Sequence, residues 1–134
     1  MKLGKPTKHQ LSLFLLRISV FVVMLFWTLD KFINPDHSAK VFQHFYFIGD
    51  AGVDFLKIIG GIQLIIILAF VLGYKKRWSY GLVFAMHLVS TLSSFNQYLN
   101  PWPNLLFFAA WPMLAACLAL VLLKEDDRLL SVEK

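Results

Sequence analysis

Residues 53–73 read VDFLKIIGGIQLIIILAFVLG, and this stretch decides the fold class. A run of roughly 20 apolar residues has the length that a helix needs to cross the hydrocarbon of a bilayer. A helix is favoured over a barrel strand because the run is continuous and because only a helix satisfies its own backbone hydrogen bonds in lipid. The run ends at Gly73, a typical helix-ending residue, and the basic residues Lys75, Lys76 and Arg77 follow it. This stretch therefore predicts a transmembrane helix followed by a basic loop.

Three further stretches of the chain are similarly long and apolar, at residues 11–29, 78–98 and 104–123. The chain of 134 residues is 58% hydrophobic and 16% charged, whereas an average soluble domain has about 25% charged residues. So few polar residues cannot cover the surface of a large soluble domain, and that class is excluded. The sequence predicts an all-α integral membrane protein, a four-helix bundle formed by a single domain over residues 1–134.

The lysine and arginine residues predict how the four spans are oriented, because cytoplasmic loops carry an excess of these residues. In a four-span topology the N-terminus, the loop between spans two and three and the C-terminal tail fall on one side of the membrane. Most of the basic residues lie in these three segments. Both termini are therefore expected in the cytoplasm, with the bacterial inner (plasma) membrane as the expected location. The same placement accounts for the net charge of +5 without nucleic acid, which is not an expected partner.

Two segments outside the spans carry further predictions. After span one, Asn34 and Pro35 are residue types that begin a helix. Apolar residues then recur at helical spacing with polar residues off that stripe: Val41, Phe42, Phe45 and Ile48 against Lys40, Gln43 and His44. This pattern predicts a short amphipathic helix on the outer surface, between spans one and two. The tail, residues 124–134, is expected to be a solvated helix end.

Three polar side chains at membrane depth are functional candidates, since such residues usually face a bundle interior or a cavity. Arg17 lies early in span one, where it can snorkel to the headgroups, bond between helices or contact a ligand. Gln63 and His87 lie near the middle of spans two and three. They either bond to each other across the helix contact or form a polar pocket in which His87 contacts a ligand or relays a proton.

A polar stripe follows one face of span three from its middle to the outer surface. Its members recur at i, i+4, i+7 and i+11 and have two polar neighbours: His87, Thr91, Ser94 and Tyr98, flanked by Ser90 and Gln97. Such a face is not expected to contact lipid. Small hydroxyl residues also permit close helix packing, so a lined cavity and a packed helix contact are both open interpretations of this stripe.

No set of residues predicts a catalytic or metal site. No acidic residue is placed to orient His87, so the neighbouring hydroxyls do not form a nucleophile triad. Cys117 is the single cysteine, which excludes dithiol chemistry within the chain, and we expect it to be buried packing. The histidines are too dispersed to form a metal ligand set. Whether the protein is part of an enzyme is left open, and a non-catalytic subunit is the most that the residues support.

Small and cyclic residues predict local packing in spans two and four. Gly60 and Gly61 are expected to let a neighbouring helix approach closely. Pro112 is expected to kink span four. The adjacent Trp111 either fills the resulting gap or stacks on a ligand.

Several of these segments resemble the DoxX-like family of small four-helix membrane proteins. The resemblance is carried by Leu16-Arg17, by WTLDKFINP over residues 27–35, by Gly60 with a polar residue three positions later, and most specifically by HLVSTLSSFNQYLNPW over residues 87–102. This chain departs from the family's pattern at two positions. A glycine is common where Trp27 stands, and a glutamate is common where Gln63 stands. An amide does not titrate, so Gln63 cannot supply the proton chemistry of an acid.

The resemblance implies a redox context, because some members are linked to redox systems, including a subunit of a thiosulfate:quinone oxidoreductase. For this chain it implies a redox-associated membrane subunit with no intrinsic cofactor, which binds a quinone or similar lipophilic molecule between its helices. The candidate binding residues are His87, Thr91, Ser94, Gln63, Tyr98, Gln97, Arg17 and Trp111.

Two other functions are open alternatives. One is a structural or assembly subunit of a membrane complex that has no ligand of its own. The other is a small transporter with the span-three hydroxyls as its path, which requires a homo-oligomer because four helices make a thin wall. The expected partners are the lipid bilayer and a membrane or periplasmic protein.

Overall fold

The structure is a computed structural model, and it describes residues 6–34, 36–37, 40, 43 and 53–132. These described residues form helices and turns and contain no strand, which confirms the predicted all-α class. Among the residues that the structure describes, three helical stretches are long and apolar enough to cross a membrane: Lys8–Ile33, Phe55–Leu72 and Trp102–Leu122. Their lengths and compositions are those of an integral membrane protein.

Helix α1, Lys8–Ile33, begins at a capping box formed by Thr7 and Gln10. The Gln10 backbone N–H donates to the Thr7 hydroxyl oxygen at 3.1 Å, and the Thr7 N–H donates to the Gln10 side-chain oxygen at 3.1 Å. These bonds satisfy donors that no helical carbonyl can reach. Helix α1 therefore starts before the predicted span 11–29, and it also extends beyond the end of that span.

Helix α2, Val53–Leu72, ends at Gly73 as predicted. Gly73 has a φ of +67°, in the left-handed region that glycine adopts without strain. The Tyr74 N–H then donates to the Ala69 carbonyl at 2.8 Å, which closes the helix end. Helix α3 begins at Lys76, and so short a connection makes α2 and α3 antiparallel neighbours.

The third predicted stretch consists of two helices, α3 over Lys76–Ser93 and α4 over Phe95–Leu99, with Ser94 between them. The hydroxyls of Ser93 and Ser94 donate to the Ser90 carbonyl at 2.7 and 3.4 Å. Such bonds compete with the backbone ladder and favour a break in the helix. Helix α3 is not among the three stretches that are apolar enough to cross a membrane, because its polar face and basic start lower its mean hydropathy.

The fourth predicted stretch changes helix type. Residues Trp102–Ala109 form a 3-10 helix that is kinked at Asn104, where the backbone is not helical (φ −124°, ψ 31°), and Ala110–Leu122 form the α-helix α5. Pro112 lies in the first turn of α5, where a missing N–H costs no helical hydrogen bond. The expected kink of one continuous helix is therefore replaced by a change from 3-10 to α geometry just before this proline.

The helices pack in pairs around a common core. Helix α1 packs against α2 and α5, and α3 likewise packs against α2 and α5. The core side chains are at most 3% exposed: Leu13, Val20, Ile67, Phe70, Tyr80, Val83, Cys117 and Leu120. Large apolar side chains elsewhere face outward, such as Ile65 at 71% and Leu106 at 91% exposure. Lipid tails are as apolar as these side chains and are a suitable environment for them.

Gly60 and Cys117 have the roles predicted for them. A Cβ added at Gly60 would lie 2.9 Å from Cζ of Phe32, so α1 and α2 approach closely at this point. The neighbouring Gly61 would have no atom within 4 Å of an added Cβ, so only Gly60 makes the close approach. Cys117 is 1% exposed within the core.

The predicted outer amphipathic helix depends mainly on residues outside the described ranges. Its apolar stripe, residues 41, 42, 45 and 48, lies there, as does His44. The described residues nearby have helical conformation: Asp36, His37, Lys40 and Gln43. The amphipathic helix stays a prediction.

Candidate ligand cavity and the tail cluster

Four polar side chains meet at one end of the molecule and form what we call the tail cluster: Arg17, Lys76, Tyr80 and Asp127. Arg17 and Asp127 have 0% exposed side chains and form an ion pair, with 3.2 Å between Nη1 and Oδ1. The Tyr80 hydroxyl donates to Asp127 Oδ2 at 2.6 Å. Each carboxylate oxygen of Asp127 therefore has a donor, which is what a buried charge requires.

The backbone of the tail is also bonded at this end of the molecule. Arg17 Nη2 donates to the Leu130 carbonyl at 3.3 Å. The Val132 N–H donates to the Leu72 carbonyl at 2.7 Å, which joins the tail to the end of α2. The tail, residues 123–132, is thus docked against the helices.

The expectation that the tail is a solvated helix end is wrong. Beyond α5 the described tail has turns in place of a helix, Asp127 is 0% exposed and Ser131 is 6% exposed. Lys76 Nζ adds a bond to the Lys124 carbonyl at 3.1 Å. The physical reason is Arg17, because a guanidinium at membrane depth needs a compensating charge and Asp127 supplies it.

Of the three roles that the sequence leaves open for Arg17, the structure matches the bond between parts of the protein. It is 0% exposed, so it does not snorkel to solvent, and its Nη atoms are occupied by Asp127 and by tail carbonyls. It also lies outside the lining of the cavity described next. The structure therefore places Arg17 in the tail cluster and apart from any ligand in that cavity.

A cavity of about 1000 Å³ lies between α1, α2, α3, α5 and the 3-10 helix. Its walls are mostly apolar, with contributions from Val20, Met24, Met86 and Met113. Its volume is at the upper end of the roughly 300–1,000 Å³ that is typical of small-molecule sites. The side chains of the lining that carry polar atoms are Ser19, Trp27, Thr28, Lys31, Gln63, His87, Ser90, Ser93 and Ser94.

His87 is a cavity-lining group whose hydrogen position follows from its partner. It is 9% exposed, and its Nε2 lies 3.0 Å from the carbonyl oxygen of Ala110. A carbonyl oxygen can only accept, so this bond requires the hydrogen on Nε2 and leaves Nδ1 as an acceptor. The bond also joins α3 to the point where the fourth stretch becomes α-helical.

Gln63 lines the same cavity, but the hydrogen bond considered between Gln63 and His87 is not formed. The partner of His87 is the Ala110 carbonyl, and Oε1 of Gln63 is buried with no hydrogen-bond partner. A buried polar atom without a partner costs free energy. The two side chains therefore do not pair with each other, and both lie in the lining of the cavity.

The stripe on span three divides between helix packing and the cavity. Thr91 is 0% exposed and its hydroxyl donates to the His87 carbonyl at 2.7 Å, so its role is packing. The Tyr98 hydroxyl donates to the Thr91 carbonyl at 2.9 Å. His87 and Ser94 line the cavity, whereas Thr91 and Tyr98 do not. Both interpretations of the stripe thus apply, each to different residues.

Aromatic side chains pack together beside the cavity without lining it. The ring of Tyr98 lies 5.3 Å from that of Phe108 and 5.3 Å from that of Trp111, measured between centroids. Trp111 therefore packs against Tyr98 with the two ring planes inclined at 46°, and neither ring is part of the cavity wall. The candidate binding residues that do not line the cavity are Arg17, Thr91, Gln97, Tyr98 and Trp111.

Asp127 and part of the cavity lining were not singled out by the sequence patterns. The acidic pair at 126–127 was a usable signal, since Arg17 required a counter-ion within reach. Ser19 and Thr28 share one face of α1 with Leu16 and Val23, at helical spacing. In an apolar helix, two such hydroxyls alone do not indicate which face of the helix borders a cavity.

The chain was compared with models of protein families, with curated proteins and with solved structures, and none of them matches it. The resemblance to the DoxX-like proteins is therefore carried only by the residues quoted above. Within the part of the chain that the structure describes, no three His, Cys, Asp or Glu side chains are grouped so that they could hold a metal ion.

Proposed function

We propose that this chain is a four-span bundle in the bacterial inner membrane with both termini in the cytoplasm. In this proposal α3 is the remaining span, since its 18 residues approach the length required. Its polar face is compatible with a span because α3 packs against α2 and α5, and polar side chains at membrane depth are tolerated in a bundle interior. The basic Lys76 lies beside the tail at one end, which supports a cytoplasmic assignment of that end.

Within this bundle, the cavity binds a lipophilic molecule with a polar head, of the quinone class. The observation that carries this proposal is an apolar-walled cavity of about 1000 Å³ with His87 and Gln63 in its lining. Apolar walls suit a ring and a hydrocarbon chain, and a few placed polar groups suit a head group. Nδ1 of His87 and the amide of Gln63 retain hydrogen-bonding capacity for such a head.

The resemblance to the DoxX-like proteins supports a redox-associated role for this subunit. The single cysteine, Cys117, is 1% exposed, so the chain has no pair of thiols that could carry electrons. In this proposal electrons reach the bound molecule from a membrane or periplasmic partner protein, and the chain supplies the binding site.

The test is to purify the protein from native membranes in mild detergent and to quantify extracted lipophilic molecules by mass spectrometry. We expect a quinone-class molecule at a higher molar ratio than in a control membrane protein purified in the same way. His87→Ala should retain less of it, and His9→Ala, whose histidine is exposed and outside the cavity, should retain as much as the wild type. A preparation with no lipophile above the control contradicts the proposal.

A structural or assembly subunit without a ligand is the second candidate function. It is favoured by the hydroxyl bonds of Thr91 and Tyr98, which serve packing alone. Lys40 and Gln43 are exposed on the segment between α1 and α2 and are a possible docking face for a partner. Under this candidate, changing both to Ala lowers partner recovery in a membrane pull-down, and unchanged recovery excludes that face.

A further inference from the structure

Two hydroxyl oxygens of the cavity lining have their hydrogens committed to backbone carbonyls and offer a ligand acceptors. The Thr28 hydroxyl donates to the Met24 carbonyl at 2.7 Å. The Ser93 hydroxyl donates to the Ser90 carbonyl at 2.7 Å. A hydroxyl has one hydrogen, so an oxygen whose hydrogen is already donated offers a ligand only its lone pairs.

His87 adds a ring nitrogen that also acts only as a hydrogen-bond acceptor. Its Nε2–H is used by the Ala110 carbonyl, and Nδ1 of the neutral ring is therefore an acceptor. A charged imidazolium in this cavity would need a compensating carboxylate. Among the described residues that line the cavity, none is Asp or Glu. The neutral ring, with its acceptor at Nδ1, is the form that suits these surroundings.

The other polar groups of the lining include both donors and acceptors. The hydroxyls of Ser19 and Ser90 can rotate to donate or to accept, and the Gln63 amide has both kinds of atom. The two donors of the lining both lie on α1, away from α3: the indole N–H of Trp27 and the Lys31 ammonium, which donates to the Trp27 carbonyl at 3.4 Å. On α3, where His87 lies, the cavity-lining groups whose hydrogen-bonding role is fixed are acceptors.

We propose that the cavity selects a lipophilic hydroquinone, whose head donates O–H hydrogen bonds, over the corresponding quinone, whose carbonyl oxygens can only accept. This inference rests on the proposed function and adds to it the form of the ligand. A hydroquinone hydroxyl donates to Nδ1 of His87, and the opposite end of the molecule extends along the apolar wall. A quinone carbonyl in the same place brings two acceptors together and leaves Nδ1 unpaired. The proposal concerns binding alone and involves no electron or proton transfer within the chain.

The test compares ligands that share one apolar body and differ only in the head. A decyl-substituted 1,4-benzohydroquinone, the corresponding 1,4-benzoquinone and the bis-O-methyl ether of the hydroquinone are equilibrated with the purified protein in detergent, by anaerobic dialysis. Bound ligand is quantified by chromatography. One buried acceptor left without a donor should lower affinity about tenfold, so we expect the hydroquinone to bind about tenfold more tightly than either other ligand.

A matched pair of variants assigns the preference to His87. In His87→Phe the ring volume is retained and the acceptor is removed, so hydroquinone and quinone should bind within about twofold of each other. His9→Phe makes the same substitution at an exposed histidine outside the cavity and should retain the wild-type preference. If His87→Phe does not fold, the comparison of three ligands on the wild-type protein still decides the question.

The outcomes separate this inference from the proposed function. Equal binding of hydroquinone and quinone by the wild-type protein, or tighter binding of the quinone, overturns the inference and leaves the ligand class in place. Tight binding of the ether also overturns it, because the ether has no O–H to donate. If none of the three ligands binds, both the inference and the proposed function fail.

Discussion

The tail cluster and the cavity both place polar side chains among apolar helices, but they differ in how completely those side chains are bonded. In the tail cluster, both oxygens of the Asp127 carboxylate have donors from Arg17 and Tyr80. Arg17 Nε is the exception there, since it is buried without a partner. In the cavity, His87 has one ring nitrogen in use and Gln63 Oε1 has no partner.

This difference distinguishes polar residues whose bonding capacity is used within the protein from polar residues that retain bonding capacity beside a cavity. Depth alone would assign Arg17 and His87 to the same category, because each is costly in hydrocarbon. The bonding capacity that each retains is what distinguishes them. Arg17 is paired with a carboxylate and with the carbonyls of Leu129 and Leu130, whereas His87 still has an acceptor within a cavity large enough for a ligand.

The largest expected effect is at the carboxylate of the tail cluster. Asp127→Ala removes the counter-ion of Arg17 and leaves a buried charge uncompensated, which should lower the free energy of unfolding by about 3–5 kcal/mol. Unfolding in mixed detergent micelles, followed by circular dichroism, measures this loss. Asp126→Ala is the matched control, because Asp126 is 53% exposed and pairs with the exposed His9. The control should cost about 1 kcal/mol or less, and equal losses in the two variants would mean that the tail is not docked.

A double substitution tests whether the tail cluster serves only stability. Replacing a buried ion pair by apolar residues of similar size is often neutral or stabilising. Arg17→Met combined with Asp127→Leu should therefore recover at least about 2 kcal/mol of the loss seen in either single variant. The same unfolding titration gives the coupling energy. Strictly additive losses would show that the two residues do not act as a pair.

A smaller loss of stability is expected when the Tyr80 hydroxyl of the tail cluster is removed. Tyr80→Phe preserves the ring packed against Phe70 and removes the donor to Asp127 Oδ2. The loss should be about 1–3 kcal/mol, the usual cost of leaving a buried acceptor unpaired. Tyr74→Phe removes a hydroxyl from a side chain that is 47% exposed and should change stability very little. If both variants are as stable as the wild type, the Tyr80 bond contributes nothing to folding.

The smallest effect on stability, with a clear effect on binding, is expected in the cavity. Ala116 lines the cavity, so Ala116→Leu extends into space that has no protein atoms and should change stability by less than about 1 kcal/mol. Retention of the lipophilic molecule should nevertheless fall. Ala115→Leu places the same side chain on an exposed face of α5 and should retain as much as the wild type. Loss of retention in both variants, or in neither, would contradict the assignment of the ligand to this cavity.

Three of the four predicted spans, the first, second and fourth, correspond to long apolar helices, and they were predictable from the sequence because length and apolar content are local properties. The stop at Gly73, the close approach at Gly60 and the burial of Cys117 were predictable for the same reason. The break at Ser94 was harder to foresee, because it depends on where two hydroxyls donate their hydrogens.

The tail cluster and the partner of His87 were not predictable because both depend on distant parts of the chain. Arg17 and Asp127 are separated by 110 residues, and no spacing rule relates them. The partner of His87 is the backbone carbonyl of Ala110, and every residue has such a carbonyl. Side-chain patterns therefore named His87 as a candidate but could not say which of its nitrogens would be left for a ligand.

The pairing of Arg17 with Asp127 also has a consequence for biosynthesis. Arg17 is synthesised as part of α1, whereas its counter-ion is added 110 residues later. Until the tail is complete, the nascent bundle contains an arginine without a counter-charge, at a substantial energetic cost. A chain that stops before Asp127 retains that charge permanently, and its helices lack the contact that closes this end of the bundle. The tail cluster can therefore form only after the tail has been synthesised, and a chain truncated before Asp127 cannot form it.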